Sequence, residues 1–311
     1  MLPKIVAIVG CTASGKTDLA IHLAKAFNGE VICVDSRTIY RGMDIGTAKP
    51  TGERVMQGTW QIGDVPLTVD GVPHWGIDLV DPDADYSIAD FKMYAEKKIA
   101  EIVKRGKLPI LVGGTGLWID VIVDNLELPE VPPDTALREA LETKSTEDLF
   151  DQYVQLDPLG GEQIDRFNKR RLIRALEVTL KSGKPFSQMK SRGPSKYDAV
   201  KIGLEVEREE LRRRIDVRVD KMIAEGLVDE VRKLKEDYEG DLPAMTGIGY
   251  RQICFFLNGK ANLAAAIEDI KKDTWDYAKR QMTWFRRDMR ISWISSTEQA
   301  MDLARKFLEI G

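Results

Sequence analysis

Histidine and cysteine are scarce in this chain: His22 and His74 are the only histidines in 311 residues, and Cys11, Cys33 and Cys254 the only cysteines. So few histidines weigh against a His-rich metal site and against a Ser-His-Asp relay. Three widely spaced cysteines fit neither metal-ligand spacing nor a disulfide framework, so a reducing cytoplasm is the expected compartment. No apolar run is long enough to cross a bilayer, and the chain starts almost directly on a strand-like segment, so neither a membrane span nor a signal peptide is expected. Internal repeats and low-complexity segments are absent too. Nor does one sign of charge dominate: the formal net charge is −4, which argues against bulk attraction to nucleic acid and leaves room only for local basic surfaces. With 43% hydrophobic and 31% charged residues, the composition is that of an ordinary globular chain, long enough for one large domain or two smaller ones.

What is present begins at Gly10-Cys11-Thr12-Ala13-Ser14-Gly15-Lys16-Thr17, a G-x-x-x-x-G-K-T sequence directly after the apolar run Ile5 to Val9. A buried strand feeding a glycine loop that opens a helix is the context of a phosphate-binding loop. The glycines let backbone N–H groups approach an anion, Lys16 adds a point charge, and the Thr17 hydroxyl suits Mg2+. Gly10 to Thr17 are therefore expected to bind a polyphosphate.

The pattern along the chain predicts strands at 4–9, 30–34, 77–80 and 108–112, with helices at 15–27 and from the Ser87–Asp90 capping box to about Arg105. Strands alternating with helices imply a doubly wound parallel sheet. Only helices are expected from 134 to 183, closed by Gly183 and Pro185. A strand over 201–206, one long charged helix over 208–238, two helices within 247–285, a strand over 291–294 and a terminal helix complete the reading. The expected fold is α/β: a P-loop NTPase-like doubly wound parallel sheet core (residues 1–120 and 200–311) with an inserted all-helical domain (121–199). Asp70-Gly71 between apolar residues signals a hairpin inside a surface excursion over 51–73.

Asp35 falls at the carboxyl end of the second strand, where open α/β sheets bind ligands. It can serve as a base, hold Mg2+ through water, or simply cap a helix or turn. It also opens the run Asp35-Ser36-Arg37-Thr38-Ile39-Tyr40-Arg41-Gly42-Met43-Asp44-Ile45-Gly46-Thr47-Ala48-Lys49-Pro50. That run closely resembles the signature of the tRNA dimethylallyltransferases, or isopentenyl-tRNA transferases. So do Gly10 to Thr17, Tyr86 to Phe91, Gly113 to Leu117, Arg170 to Val178, Gly247 to Arg251 and Tyr277 to Phe285, in order and across nearly the whole chain.

The resemblance implies transfer of a dimethylallyl group from dimethylallyl diphosphate to N6 of adenosine 37 in tRNAs with an A36-A37-A38 anticodon loop. The phosphate loop would then hold a prenyl diphosphate rather than ATP, with Mg2+ on Thr17. Asp35 would take the N6 proton, and Lys16, Thr12 and Arg214 would act at the reacting groups, with Arg218 a second diphosphate contact on the same helix face. The anticodon stem-loop would be held by Asp35, Ser36, Arg37, Thr38, Thr115, Arg138, Arg170, Arg171, Arg174, Gly247, Gly249, Tyr250, Arg251, Lys279, Arg280, Gln281 and Trp284, and the resemblance implies a monomer. Four departures stand out: Cys11 where proline is usual, Arg37-Thr38 for a different pair, Asp273 to Asp276 where an arginine is usual, and a 51–73 stretch longer than usual. None touches Lys16, Thr17, Asp35 or Arg214. Rival readings are an adenylate prenyltransferase making free cytokinin nucleotides, a P-loop small-molecule kinase, and a non-catalytic RNA-binding protein. The inserted helices and the basic carboxyl-terminal segments favour tRNA.

Overall fold

The structure, a computed structural model, describes residues 1–54, 65–189, 191–240 and 242–309. Its backbone divides into two compact units, one of residues 1–123 with 196–311 and the other of residues 124–195.

The larger unit is built on one sheet. Strands β1 (Lys4–Val9), β2 (Gly29–Cys33), β3 (Leu67–Val69), β4 (Val72–Trp75), β5 (Leu108–Gly113), β6 (Asp198–Leu204) and β7 (Ile291–Ile294) lie in the order β3-β4-β2-β5-β1-β6-β7. All neighbours are parallel except β3 and β4. Strands β1, β2 and β5 are apolar at nearly every position because both sheet faces are covered. Alternation then sorts their side chains. Val6 and Ile8 pack with Leu19, Leu23, Ala300 and Ala304 of helices α1 (Lys16–Ala26) and α12 (Thr297–Glu309). Ile5, Ala7 and Val9 face the opposite layer. That layer draws on α2 (Ile88–Lys104), α3 (Gly116–Val123), α8 (Arg208–Ala224), α9 (Leu227–Asp237), α10 (Tyr250–Leu257) and α11 (Leu263–Phe285). From β1 the chain winds to one side through β2, β4 and β5, then to the other through β6 and β7. The crevice at this reversal lies beyond the carboxyl ends of β1, β2 and β5.

Two sequence expectations are corrected. The segment 77–80 is not a strand: β4 ends at Trp75, and Val80 forms only an isolated bridge with Tyr40. Gly76 turns the chain at φ 81°, where an added Cβ would stand 2.6 Å from the Cys33 carbonyl oxygen, and Asp78 follows at φ 56°. The single helix expected over 208–238 is two, because Gly226 adopts a left-handed conformation (φ 101°) and restarts the chain as α9. The Asp70-Gly71 hairpin forms between β3 and β4 with both residues at positive φ, while residues 55–64 of the 51–73 excursion lie outside the described residues.

The smaller unit is helical: α4 (Thr135–Glu142), α5 (Thr146–Leu156), α6 (Pro158–Gln163) and α7 (Lys169–Ser182). Side chains of Asp134, Ser145, Asp157 and Asn168 cap their amino ends, and Gly183 ends α7 in the left-handed region. Leu141, Leu149, Tyr153, Leu172, Ile173, Ala175 and Leu176 form its own core.

Candidate active site

The loop after β1 turns on three left-handed or extended positions, Gly10 (φ 149°), Ala13 (φ 60°) and Gly15 (φ 91°). An added Cβ at Gly10 would meet the Leu204 carbonyl and the Ser14 hydroxyl at 3.2 Å, so the close turn depends on glycine. Lys16 and Thr17 then open α1, aiming its first N–H groups into the crevice. The Lys16 ammonium donates to the Cys11 carbonyl across the loop. Burial pulls the Lys16 pKa down to about 8, with Arg218 adding to the fall and Cys11 and Asp35 opposing it. Its side chain still keeps partial access to solvent. Burial likewise raises the pKa of the Cys11 thiol despite Lys16, so this departure from the family pattern places a packed thiol, not a thiolate, beside the loop.

A second cation closes the loop from α8. Arg218 Nη1 donates to Thr12 Oγ1 at 3.3 Å and Nη2 reaches the Thr47 carbonyl at 3.5 Å. Burial lowers its pKa and the Asp35 charge opposes this. Arg214 sits one turn earlier with its guanidinium on Glu210 at 2.7 Å, and Arg213 shares the same carboxylate. The structure thus brings Arg218 to the loop and leaves Arg214 on the solvent side of its helix.

Asp35 stands beyond the end of β2. Its Oδ1 accepts the N–H of Arg37 at 2.8 Å and of Thr38 at 3.4 Å, capping the turn that follows. No donor among the described residues reaches Oδ2, so the same side chain caps a turn and keeps an acceptor for a ligand. The Arg37 guanidinium is held by the Ala244 carbonyl and the Thr246 hydroxyl, each at 3.1 Å. Gly247 lies beside it.

Helix α11 stitches these loops together. Buried Gln281 accepts the Thr12 N–H at 2.8 Å and donates to the Gly114 carbonyl at 2.9 Å. Gly114 and Gly116 are needed there, since a Cβ would stand 2.2 Å from Gln281 Nε2 and 2.1 Å from Trp284 Cδ1. Trp284 donates to Asp120 at 3.0 Å. Tyr277 lies close to Asp35: its pKa is pushed up to about 12 by burial first and the Asp35 charge second, with Thr115 and Gln281 opposing. Thr115 falls short of full hydrogen-bond geometry. Its hydroxyl, with those of Ser14 and Thr38, is buried without a partner. An orphaned buried hydroxyl is costly, and these three occur on the three loops that rim the crevice.

The remaining sequence-predicted residues divide by what already holds them. Tyr250 is 1% exposed. Its hydroxyl donates to Glu230 at 2.6 Å and its ring lies under Gly46, so the side chain is a post rather than a free contact. Gly249 (φ 92°) is the N-cap of α10. Arg251 pairs with Asp273 and Lys279 with Asp276, while Arg280 stacks on Tyr277. In the helical unit Arg138 and Arg174 both pair with the fully buried Glu177, whereas Arg170 stays exposed.

A family profile described as IPP transferase matches residues 38–288, and one described as isopentenyl transferase matches 3–62. The tRNA dimethylallyltransferase of Thermomicrobium roseum is 43% identical over 94% of this chain and 87% of its own. That of Roseiflexus sp. strain RS-1 is 45% identical over 92% and 91%. The chain belongs to the tRNA dimethylallyltransferase family. Among solved structures, a tRNA isopentenylpyrophosphate transferase from Bacillus halodurans is 38% identical with a TM-score of 0.70, covering 98% of this chain and 97% of its own. A eukaryotic dimethylallyltransferase acting on tRNA reaches a TM-score of 0.76 at 27% identity, covering 99% of this chain and 80% of its own.

Within this dimethylallyltransferase, sequence reasoning gave no role to two residues that shape the crevice. Tyr277 lies in a recognised segment but carries no motif chemistry of its own. Glu230 sits in a charged helical run with nothing to mark it, yet its carboxylate accepts the N–H groups of Asp44, Ile45 and Gly46 at 2.9, 2.7 and 3.1 Å. The loop so held presents the Thr47 carbonyl to Arg218.

Proposed function

We propose that this chain transfers the dimethylallyl group of dimethylallyl diphosphate to N6 of adenosine 37 in tRNA, releasing diphosphate. The reading rests chiefly on one observation: Lys16, Thr12 and Arg218 gather at the carboxyl end of β1 with the Asp35 carboxylate within their electrostatic reach. Breaking the C1–O bond builds negative charge on the departing diphosphate, where the loop amides, Lys16 and Arg218 stabilise it. As the N6–C1 bond forms, the N6 proton passes to the unengaged oxygen of Asp35. Arg214 joins the diphosphate contacts when drawn off Glu210. Thr115, Thr38 and Ser36 receive the adenine edge, and the hydroxyls of Thr38 and Thr115 gain partners when the base arrives.

The residues fit a Mg2+ ion. Thr17 offers a hard oxygen in the first turn of α1, the Ser14 hydroxyl nearby lacks a partner, and a diphosphate supplies further oxygen ligands. Mg2+ there would neutralise leaving-group charge. The helical unit supplies RNA contacts through Arg170 and Arg171, joined by Arg138 and Arg174 when drawn off Glu177. Arg251, Lys279, Arg280 and Trp284 serve on the larger unit, whereas buried Gln281 is spent on Thr12 and Gly114. The enzyme acts as a monomer on cytoplasmic tRNA.

The test offers the protein Mg2+ and dimethylallyl diphosphate with an anticodon stem-loop carrying A36-A37-A38, and in parallel AMP in its place. A mass increase of one five-carbon prenyl unit on the stem-loop is expected. Prenylation of AMP alone would replace this reading with cytokinin nucleotide synthesis. ATP turnover without prenylation would replace it with a kinase.

A further inference from the structure

The segment between α6 and α7 presents an aromatic ring to solvent. Phe167 is 80% exposed. It is nonetheless held in place: Asp165 Oδ1 accepts its N–H at 3.1 Å, and the next residue, Asn168, caps α7 through the Arg171 N–H at 3.1 Å. The Arg166 guanidinium lies 5.2 Å from the Phe167 ring centre and 5.4 Å from that of Phe150, so it bridges the exposed ring to the helical unit.

The surrounding charge is unbalanced. Several cations of this unit are matched: Arg138 and Arg174 to Glu177, Lys169 to Glu142, Lys181 to Asp134 and Arg192 to Asp124. Arg166, Arg170 and Arg171 have no carboxylate partner among the described residues. Arg166 lies against the exposed phenyl ring, and Arg170 follows it exposed at the start of α7, in a chain of net charge −4. The combination asks for an occupant that is both flat and anionic. A single ring is too small a patch for a stable protein interface. Single-stranded RNA meets both demands, since unpaired bases stack on aromatic faces while the flanking phosphates meet arginine.

We propose that Phe167 is a stacking platform for one unpaired base of the RNA substrate, with Arg166 and Arg170 meeting the phosphates on either side. The proposal rests on the tRNA reading above and adds a specificity-determining residue to it. Recognition here depends on the base being unpaired, not on its identity, because every base offers a π-face.

The test measures binding of a fluorescein-labelled anticodon stem-loop at fixed salt to the wild type, F167A, F167L and F167W, with an RNA duplex of equal length as control. F167A is expected to weaken stem-loop binding about tenfold, the lower range of a lost base–aromatic stack. F167L is expected to match F167A, because leucine keeps apolar surface but no ring. F167W should bind like the wild type, its added indole emission quenched when RNA binds. Duplex affinity should be equal for all four. Thermal midpoints check that each variant is folded, which the exposed position favours. Wild-type stem-loop binding by F167A, or full recovery with F167L, overturns the platform. Prenylation of the same stem-loop by the wild type is measured alongside. Its absence defeats the tRNA reading, whereas unchanged F167A binding with wild-type prenylation intact defeats only the platform.

Discussion

At the scale of single residues, the base role proposed for Asp35 must be separated by mutation from the turn that it caps. Alanine would remove the base and also the acceptor that holds the Arg37 and Thr38 N–H groups. Asp35→Asn keeps an acceptor oxygen and loses the base. It should lower the rate of prenyl transfer about 10²- to 10⁴-fold, the usual contribution of a general base. Stem-loop affinity should stay near wild type, because the carboxylate acts mainly in the transition state. Near-normal single-turnover rates in that variant would remove the assigned role. Lys16 offers a pH handle. Its pKa of about 8 in the free protein means the ammonium is lost as pH rises past that value. A diphosphate favours the charged form, so binding should raise the pKa and take up a proton. Prenyl diphosphate affinity should therefore fall above about pH 8, and calorimetry in buffers of different ionisation enthalpy should register proton uptake. A flat profile from pH 7 to 9 would show that Lys16 keeps its charge without ligand. Both residues were legible in the sequence because their neighbours constrain them locally: a glycine loop for Lys16, a strand end for Asp35. The choice between Arg214 and Arg218 was not. Residues four apart share a helix face, and only the position of Glu210 and Thr12 in space separates them.

At the scale of elements, most boundaries follow from signals in the chain itself, such as the Ser87–Asp90 capping box of α2 and Gly183 at the end of α7. The misplaced ones have a tertiary origin. Residues 77–80 are apolar enough for a strand, but Gly76 must pass against the Cys33 carbonyl and diverts the chain. The charge-rich 208–238 stretch hides the break at Gly226, whose left-handed turn lets α9 present Glu230 to the 44–46 amides. This contact between α9 and a distant loop could not be read from sequence, yet it props the carbonyl that Arg218 uses. Glu230→Gln retains one acceptor oxygen and turns an NH2 group toward backbone donors, leaving part-buried N–H groups short of partners at roughly 1 kcal/mol, the low end of the range for a buried donor. Two effects are expected: a lower thermal midpoint, and a fall in kcat/KM for prenyl diphosphate larger than any change in stem-loop affinity. A cycle with Arg218→Gln tests the route, because the two losses should add to less than their sum if Glu230 acts through Arg218. Full additivity would confine Glu230 to stability.

At the scale of the whole molecule, the two compact units have separate cores. The sheet and both its layers belong to residues 1–123 with 196–311, and the Leu141–Leu176 cluster belongs to 124–195. The chain enters and leaves the helical unit along paired backbone: Glu127 N–H donates to the Ser191 carbonyl at 2.8 Å and Gly193 N–H to the Asn125 carbonyl at 3.1 Å. Its two ends are therefore adjacent, and a short glycine-serine linker in place of 124–195 should let the sheet unit fold alone. The phosphate loop, Arg218, Asp35 and α11 all lie in what remains. Prenyl diphosphate binding should thus survive the excision, with an affinity within about tenfold of the full chain, a loss no larger than roughly 1.4 kcal/mol. Stem-loop binding should weaken and become less sensitive to salt, since each lost phosphate contact reduces the logarithmic salt slope by about 0.7 for single strands. Counting from Arg170 and Arg171 alone, the slope should change by more than about one. An unchanged slope would place the RNA backbone contacts on the sheet unit, and loss of prenyl diphosphate binding from a folded product would show that the phosphate site needs the insertion.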